Sequence, residues 1–393
     1  RRNKALISIS DTATNISKIT GGGIVMDKIR AVIIGFAHMH VNEIAQYISQ
    51  QEDFELIGFA DIPADTPEMT KARYTRAWNL QNNIQKYGIT PHDDYRRMLD
   101  ELKPDIAFIL CENAKKLEVV DECAKRNINV CIEKPMAVSL DAALKIRETA
   151  KKHNIEALVN WPVIWRPYIH KQIAALESGI VGRLIKVYYI NGHTGPLGKG
   201  AKHRGVLEKA EEMTDGERAS TWWYKSETGG GAFLDIGCYG CFFNEWVRND
   251  DDLPISVTAF SGNYNTPYMD CADNMAAIIE YKNSYSVIEG TWTTPQASLP
   301  TGPIYCCTDG VLYCTADREV KAMNIYGEEI KLPEYEIMLH IANIADHYAY
   351  CKKNNIPLIK TVTLDFNVRV MSLIDAAMKS SETGKKERVV CTK

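Results

Sequence analysis

The chain has 393 residues, 45% hydrophobic and 24% charged: enough apolar material for real cores and too much length for one, so two domains are expected. Lys plus Arg number 46 against 50 Asp plus Glu, a net charge of −4, which gives no electrostatic reason to expect nucleic acid or an anionic membrane as partner and favours a small molecule. No stretch approaches the ~20 apolar residues of a membrane-spanning helix.

The start, Arg1-Arg2-Asn3-Lys4, has the look of a twin-arginine export signal, but its apolar segment ends within Ala5–Ile9. Export is the minor reading and a cytoplasmic location the expected one. Residues 1–25 are read as an upstream extension, disordered or engineered in origin, and stay out of the fold. The 11 cysteines, odd in number and without scaffold spacing, read as thiols of a reducing compartment. Cys238-Tyr239-Gly240-Cys241 has redox-motif spacing without a thioredoxin-like context, so a redox role is the minor reading.

From Ile29 short apolar runs alternate with helical patterns. Strands are expected at 29–34, 54–60, 106–110, 130–132 and 155–159. Helices are expected at 41–50, 67–86, 94–102, 114–126 and from a Ser139 cap to about Lys152. Such βαβ alternation means a parallel sheet, here a dinucleotide-binding Rossmann domain over residues 26–160. A helix over 165–178 then opens a second, α+β domain over residues 161–393. Its strand patterns at 183–190, 256–260, 275–281, 285–292 and 311–315 predict a large, mostly antiparallel open sheet, with a hairpin turn at 281–284. Helical patterns at 335–352 and 364–381 follow and can pack back on the first domain.

Gly35-Phe36-Ala37-His38-Met39-His40 lies between the first strand and first helix, where a dinucleotide loop belongs. Only Gly35 matches the Gly-rich fingerprint, with Ala37 and His40 in place of its later glycines. Asp61 ends the second strand 26 residues past Gly35, the position from which a carboxylate takes the adenosine ribose hydroxyls and repels a 2′-phosphate. NAD is therefore favoured, with NADP left open because Lys71 and Arg73 can fold back. Lys134, in Cys131-Ile132-Glu133-Lys134-Pro135, follows a parallel strand and faces the crevice beyond the strand ends. Asn113 and Glu133 complete the cofactor-facing set with His38. In Gly229-Gly230-Gly231-Ala232-Phe233-Leu234-Asp235-Ile236-Gly237-Cys238-Tyr239, Asp235 and Tyr239 are four apart and share one helix face.

These segments, in this order and spacing from about Met26 onward, resemble the glucose-fructose oxidoreductase / inositol dehydrogenase (Gfo/Idh/MocA) family, in its branch with Tyr rather than His at the end of the Asp motif. The resemblance implies that Lys134 contacts the reacting hydroxyl and nicotinamide ribose, and that the Lys134–Pro135 peptide is cis. It also points to a carbohydrate-like substrate and NAD(P)-dependent oxidation or reduction. The chemistry is coherent on its own terms: Tyr239 is a poor base at its ordinary pKa, Lys134 is expected to lower that pKa, and Asp235 to orient substrate or relay the proton. Trp222 and Trp223 are candidates for stacking on a sugar or, equally, for a core or interface. Asn160, Arg166 and His193 are further substrate-binding candidates. No metal-ligand spacing supports zinc. A redox-neutral, NAD-retaining glycosidase or lyase and a non-catalytic cofactor sensor are the competing readings. Assembly as a homodimer or homotetramer through the second domain's sheet is expected.

Overall fold

A computed structural model of the protein describes residues 27–248, 252–295, 302–334 and 342–390. The extension at residues 1–25 and the first part of the helical pattern over 335–352 lie outside the described residues.

Strands β1 (Ile29–Ile34), β2 (Phe54–Ala60), β3 (Ile106–Ile109), β4 (Asn129–Glu133) and β5 (Ala157–Asn160) form a parallel sheet of order β2-β1-β3-β4-β5. Both faces are covered, so β3 is buried at every position and reads in sequence as a continuous apolar run. The intervening helices are α1 (Val41–Gln50), α2 (Arg76–Tyr87), α3 (Tyr95–Leu102), α4 (Lys116–Ala124) and α5 (Leu140–His153). Ser139 caps α5, its side chain accepting from Ala142 N at 3.2 Å. Two expected helices are shorter than their patterns. Residues 67–75 are not helical: Tyr74 has φ +74°, Thr75 is extended, and α2 begins only at Arg76. A 3₁₀ turn over Asn113–Lys115 precedes α4, with Ala114 N donating to Thr228 O of the second domain.

After α6 (Pro167–Glu177) the chain builds β6 (Leu184–Gly192), the short α7 (Asp215–Ser220) and α8 (Cys238–Trp246). There follow β7 (Pro254–Gly262), β8 (Asn274–Tyr281), β9 (Tyr285–Thr291), β10 (Ile304–Cys307), β11 (Gly310–Cys314), β12 (Val320–Asn324) and β13 (Glu329–Ile330). With β14 (Glu387–Arg388) these strands form a nine-stranded sheet of order β13-β12-β11-β10-β6-β9-β8-β7-β14, antiparallel except for the β6–β9 pair. The expected hairpin turn is present, Tyr281 N donating to Ser284 O. Burial alternates along β8 and β9: one face packs on α8 and on the last helix, the other is open. Helices α9 (Ile344–Asn354) and α10 (Leu364–Thr383) return to the first domain. Tyr348 packs on Phe54, Gln51 Nε2 donates to Asp346 Oδ1, and Trp161 Nε1 donates to Asn367 Oδ1. Among the described residues no helix is long and apolar enough to cross a membrane.

Helix α8 lies close on β9 because residue 240 is glycine: a Cβ there would stand 2.5 Å from Ile288 Cγ2. Gly240→Ala is expected to cost about 1–3 kcal/mol of stability through overpacking. In urea unfolding, Gly240→Ala combined with Ile288→Ala should be destabilised by less than the sum of the single changes; strict additivity would mean that the two positions do not press on each other.

Candidate active site

Lys134 leaves the end of β4 through a cis Lys134–Pro135 peptide and is only 2% exposed. Its Nζ donates to Asp235 Oδ1 at 3.0 Å and to the Asp235 carbonyl at 2.7 Å, and stands 4.7 Å from the centroid of the Tyr239 ring. Asp235 and Tyr239 reach it from one face, as their spacing predicts, although the first of them sits in a π-helical turn, Phe233–Gly237, that runs into α8. The other carboxylate oxygen of Asp235 accepts from Trp292 Nε1 at 3.0 Å and faces His193 Nε2 at 3.3 Å. His193 Nδ1 is buried without a hydrogen-bond partner.

Burial opposes charge at all these groups, but not with equal success. At Asp235 it is outweighed by Lys134 and His193, which hold the carboxyl well below its usual range. At Lys134 it is outweighed by the Tyr239 oxygen and the Asp235 carboxylate, and the ammonium persists far above the ordinary lysine value. At Tyr239 burial wins and the pKa rises, contrary to the sequence expectation. Lys134 does pull the other way, but its charge is already matched by Asp235. At neutral pH the cluster is an ammonium, a carboxylate and an un-ionised phenol.

The supporting residues explain this geometry. Lys116 is fully buried, its Nζ donating to Glu133 O (2.5 Å), Pro135 O (2.7 Å) and Asn113 Oδ1 (2.7 Å). It thus holds the carbonyls on either side of Lys134. Asn113 in turn donates to Gly229 O at 2.8 Å, tying the glycine run to the first domain. Glu133 accepts from His40 Nδ1 or shares its proton (2.9 Å) and takes the Asn160 amide at 2.9 Å. The Asn160 oxygen accepts from Trp165 Nε1, so Asn160 positions Glu133 with both ends of its amide already engaged.

At the other end of the crevice Gly35 has φ +89°, and a Cβ there would lie 2.5 Å from Cys111 N, so the turn accepts only glycine. Asp61 Oδ1 accepts from Phe36 N (2.9 Å) and Arg76 Nη1 (3.1 Å). Arg76 is the residue that sequence reasoning missed. It is buried among Asp61, Glu68 and Glu112, bonded to the last and to the Ile62 carbonyl. Three carboxylates around one guanidinium leave this corner net negative. Arg73, considered a candidate for a 2′-phosphate, is instead bonded to Lys209 O. Lys116 and Trp292 were missed as well; their roles depend on contacts that no local pattern announces.

His38 and Trp223 pack with ring centroids 4.8 Å apart, and burial holds the His38 pKa well below its ordinary value, leaving a neutral ring. Trp222 is buried, stacks on Trp223 at 4.0 Å, and donates Nε1 to the Ala37 carbonyl at 2.9 Å. It therefore clamps the second domain onto the dinucleotide loop. A narrow cleft remains, lined by His38, Asn113, Lys134, Trp223, Gly231 and Asp235. His38, His40 and Glu133 present ligand-type atoms within 4.8 Å of one another, but the nearby ammonium groups of Lys134 and Lys116 repel a cation and the cluster is satisfied by hydrogen bonds. Cys238 and Cys241 are both buried, and burial pushes the Cys238 thiol up to about 12, which removes the thiolate that redox chemistry needs.

The residues present fit a dinucleotide. The Gly35 turn opens onto the α1 N-terminus, Asp61 follows β2 beside it, and Lys134 follows β4 of the same parallel sheet, the strand ends beyond which such sheets hold dinucleotides.

Burial raises the Glu68 pKa to about 7. A carboxyl whose folded pKa lies above its unfolded value favours folding at low pH, and that gain is lost as pH rises from about 4.5 through 7. Glu68→Gln is therefore expected to stabilise the protein more at pH 8 than at pH 5, by up to about 3 kcal/mol. A pH-independent difference in unfolding free energy would place Glu68 in water.

Residues 29–160 match the family described as "Oxidoreductase family, NAD-binding Rossmann fold", and residues 173–313 match the "GFO/IDH/MocA C-terminal domain". Trans-1,2-dihydrobenzene-1,2-diol dehydrogenase of Xenopus tropicalis is 22% identical over 334 residues, covering 82% of this chain and 93% of that protein. Glycosyl hydrolase family 109 protein 1 of Akkermansia muciniphila is 24% identical over 164 residues, 41% of this chain and 32% of that protein. The solved structure of the WlbA dehydrogenase from Bordetella pertussis, in complex with NADH and UDP-GlcNAcA, shares the fold with a TM-score of 0.71 at 17% identity, covering 93% of this chain and 100% of that one. Both halves of the chain thus point to one assignment: it belongs to the GFO/IDH/MocA family of oxidoreductases, with an NAD-binding Rossmann domain.

Proposed function

We propose that this protein transfers hydride between NAD and a CH–OH or carbonyl group of a sugar, polyol or glycoside. The observation that carries the reading is the meeting of Lys134 of the first domain with Asp235, Tyr239 and His193 of the second in one cluster, of which Lys134 and Asp235 line the cleft together with His38 of the dinucleotide loop. The names of the Xenopus and Bordetella relatives, both dehydrogenases, support it.

NAD, when bound, supplies the hydride acceptor. The chain's residues must then manage the hydroxyl proton and the charge on oxygen. Lys134, held as an ammonium by Asp235, polarises the substrate oxygen. Tyr239, held as a phenol, hydrogen-bonds that oxygen and keeps its own proton. His193 carries the hydroxyl proton both ways, taking it in oxidation and returning it in reduction: its Nε2 is fixed against Asp235, leaving Nδ1 as the nitrogen without a protein partner.

A redox-neutral reading, in which the cofactor stays bound through turnover, draws support from one further feature. The segment from Gly198 to Gly231 crosses from the second domain over the first. Gly205 presses on Asn42 and Glu43, Tyr74 Oη donates to Glu208 O, and Met69 N donates to Ser220 Oγ. Net NADH formation on a panel of monosaccharides, polyols and glycosides supports the dehydrogenase; product release with no net cofactor change supports the redox-neutral enzyme. We also assign self-assembly to the open face of the nine-stranded sheet, where Phe260, Ile278 and Tyr285 are exposed; sedimentation of a monomer would overturn it.

Lys134→Met is expected to lower kcat by at least about 10²-fold with the fold retained by circular dichroism, and near-normal turnover would remove Lys134 from the reaction. Asp61→Ala should weaken NAD and shift preference toward NADP, because Arg76 loses one of its three carboxylates; an unchanged Kd ratio by fluorescence titration would contradict the ribose assignment.

A further inference from the structure

Arg166 precedes Pro167 at the start of α6, six residues beyond the end of β5. It is half-buried, Nη1 donates to Tyr168 Oη at 3.0 Å, and Nε is buried without a hydrogen-bond partner. The other groups that act most on its charge are the phenols of Tyr239, at the reaction centre, and Tyr189. No carboxylate lies within ion-pair distance of it among the described residues. Arg76, Arg126, Arg248 and Arg369, by contrast, each meet an acid. The ammonium of Lys134 is likewise matched, by Asp235.

A guanidinium withdrawn from water with no counter-charge is costly, and the cost is recovered only if something else supplies the anion. Its planar fork suits a carboxylate held by two parallel N–H bonds. We propose that Arg166 binds a carboxylate on the substrate, so that the reacting alcohol belongs to a sugar acid or related hydroxy acid. The inference rests on the dehydrogenase reading for the word substrate, but not for the binding itself. In that arrangement Lys134 fixes the oxygen that reacts and Arg166 fixes the acid, which selects the hydroxyl that is presented.

The test uses matched pairs that differ in the acid alone: D-glucuronate with D-glucose, D-galacturonate with D-galactose, and D-gluconate with D-glucitol. Each is titrated calorimetrically into the NADH-saturated protein, wild type, Arg166→Met and Arg166→Lys. In at least one pair the acid should bind at least tenfold more tightly than its neutral twin. That lead should disappear in Arg166→Met and return in part in Arg166→Lys. Equal binding within every pair, no binding by any member, or a lead that survives Arg166→Met overturns the proposal. Where Arg166→Met does not fold, Arg166→Lys and the wild-type pairs decide: loss of the bidentate fork must still reduce the lead. Arg166-dependent acid binding without NADH formation from NAD sinks the dehydrogenase reading and leaves this one standing.

Discussion

The buried contact between the Lys134 ammonium and the Asp235 carboxylate joins the two domains at the point where chemistry is expected. Each charge is stranded without the other, since an ion taken out of water alone is far costlier than a matched pair. The pair therefore constrains how β4 of the first domain meets the π-helical turn of the second. The rest of the cluster follows from it. Asp235 has enough acceptor capacity left to hold Trp292 and His193, and at Tyr239 burial outweighs the pull of Lys134. Lys116 extends the constraint inward by gripping the backbone on both sides of Lys134, and through Asn113 it reaches the glycine run.

The other end of the crevice uses the opposite arrangement. There one guanidinium, Arg76, is surrounded by three acids, Asp61 among them, each with its pKa raised by burial. Between the two ends lies an uncharged layer of His38, Trp222 and Trp223. The crevice thus changes character along its length: acids around Arg76, then aromatic rings, then a matched ion pair beside a phenol.

Much of this was legible in the sequence where the signal is local. Strand β2 and helix α1 begin and end where their patterns say, because a short apolar strand run and an amphipathic helix have distinct periods. Lys134, Asp235 and Tyr239 could be grouped because two compact motifs carry them. Arg76 could not, because the segment before it was read as helix; only the positive φ of Tyr74 and the extended Thr75 turn the chain so that Arg76 meets Asp61. Lys116 and Trp292 touch the site from 18 and 57 residues away from the groups they serve. The sign of the Tyr239 shift was hidden for another reason: proximity to a lysine is visible in a motif, whereas the complete burial that outweighs it is visible only in three dimensions.

Helix α10 belongs to both domains at once. It lies along β7 and α8 of the second and against α5 of the first, while Thr363 at its start bridges to Leu158 of β5. A chain emerging from the ribosome with its N-terminus first has all five strands of the Rossmann sheet long before α10 is made. Until residues 364–383 arrive, α5 and β5 keep an apolar flank open to solvent, so the core of the first domain is completed only after strands β6 to β13 of the second have been made.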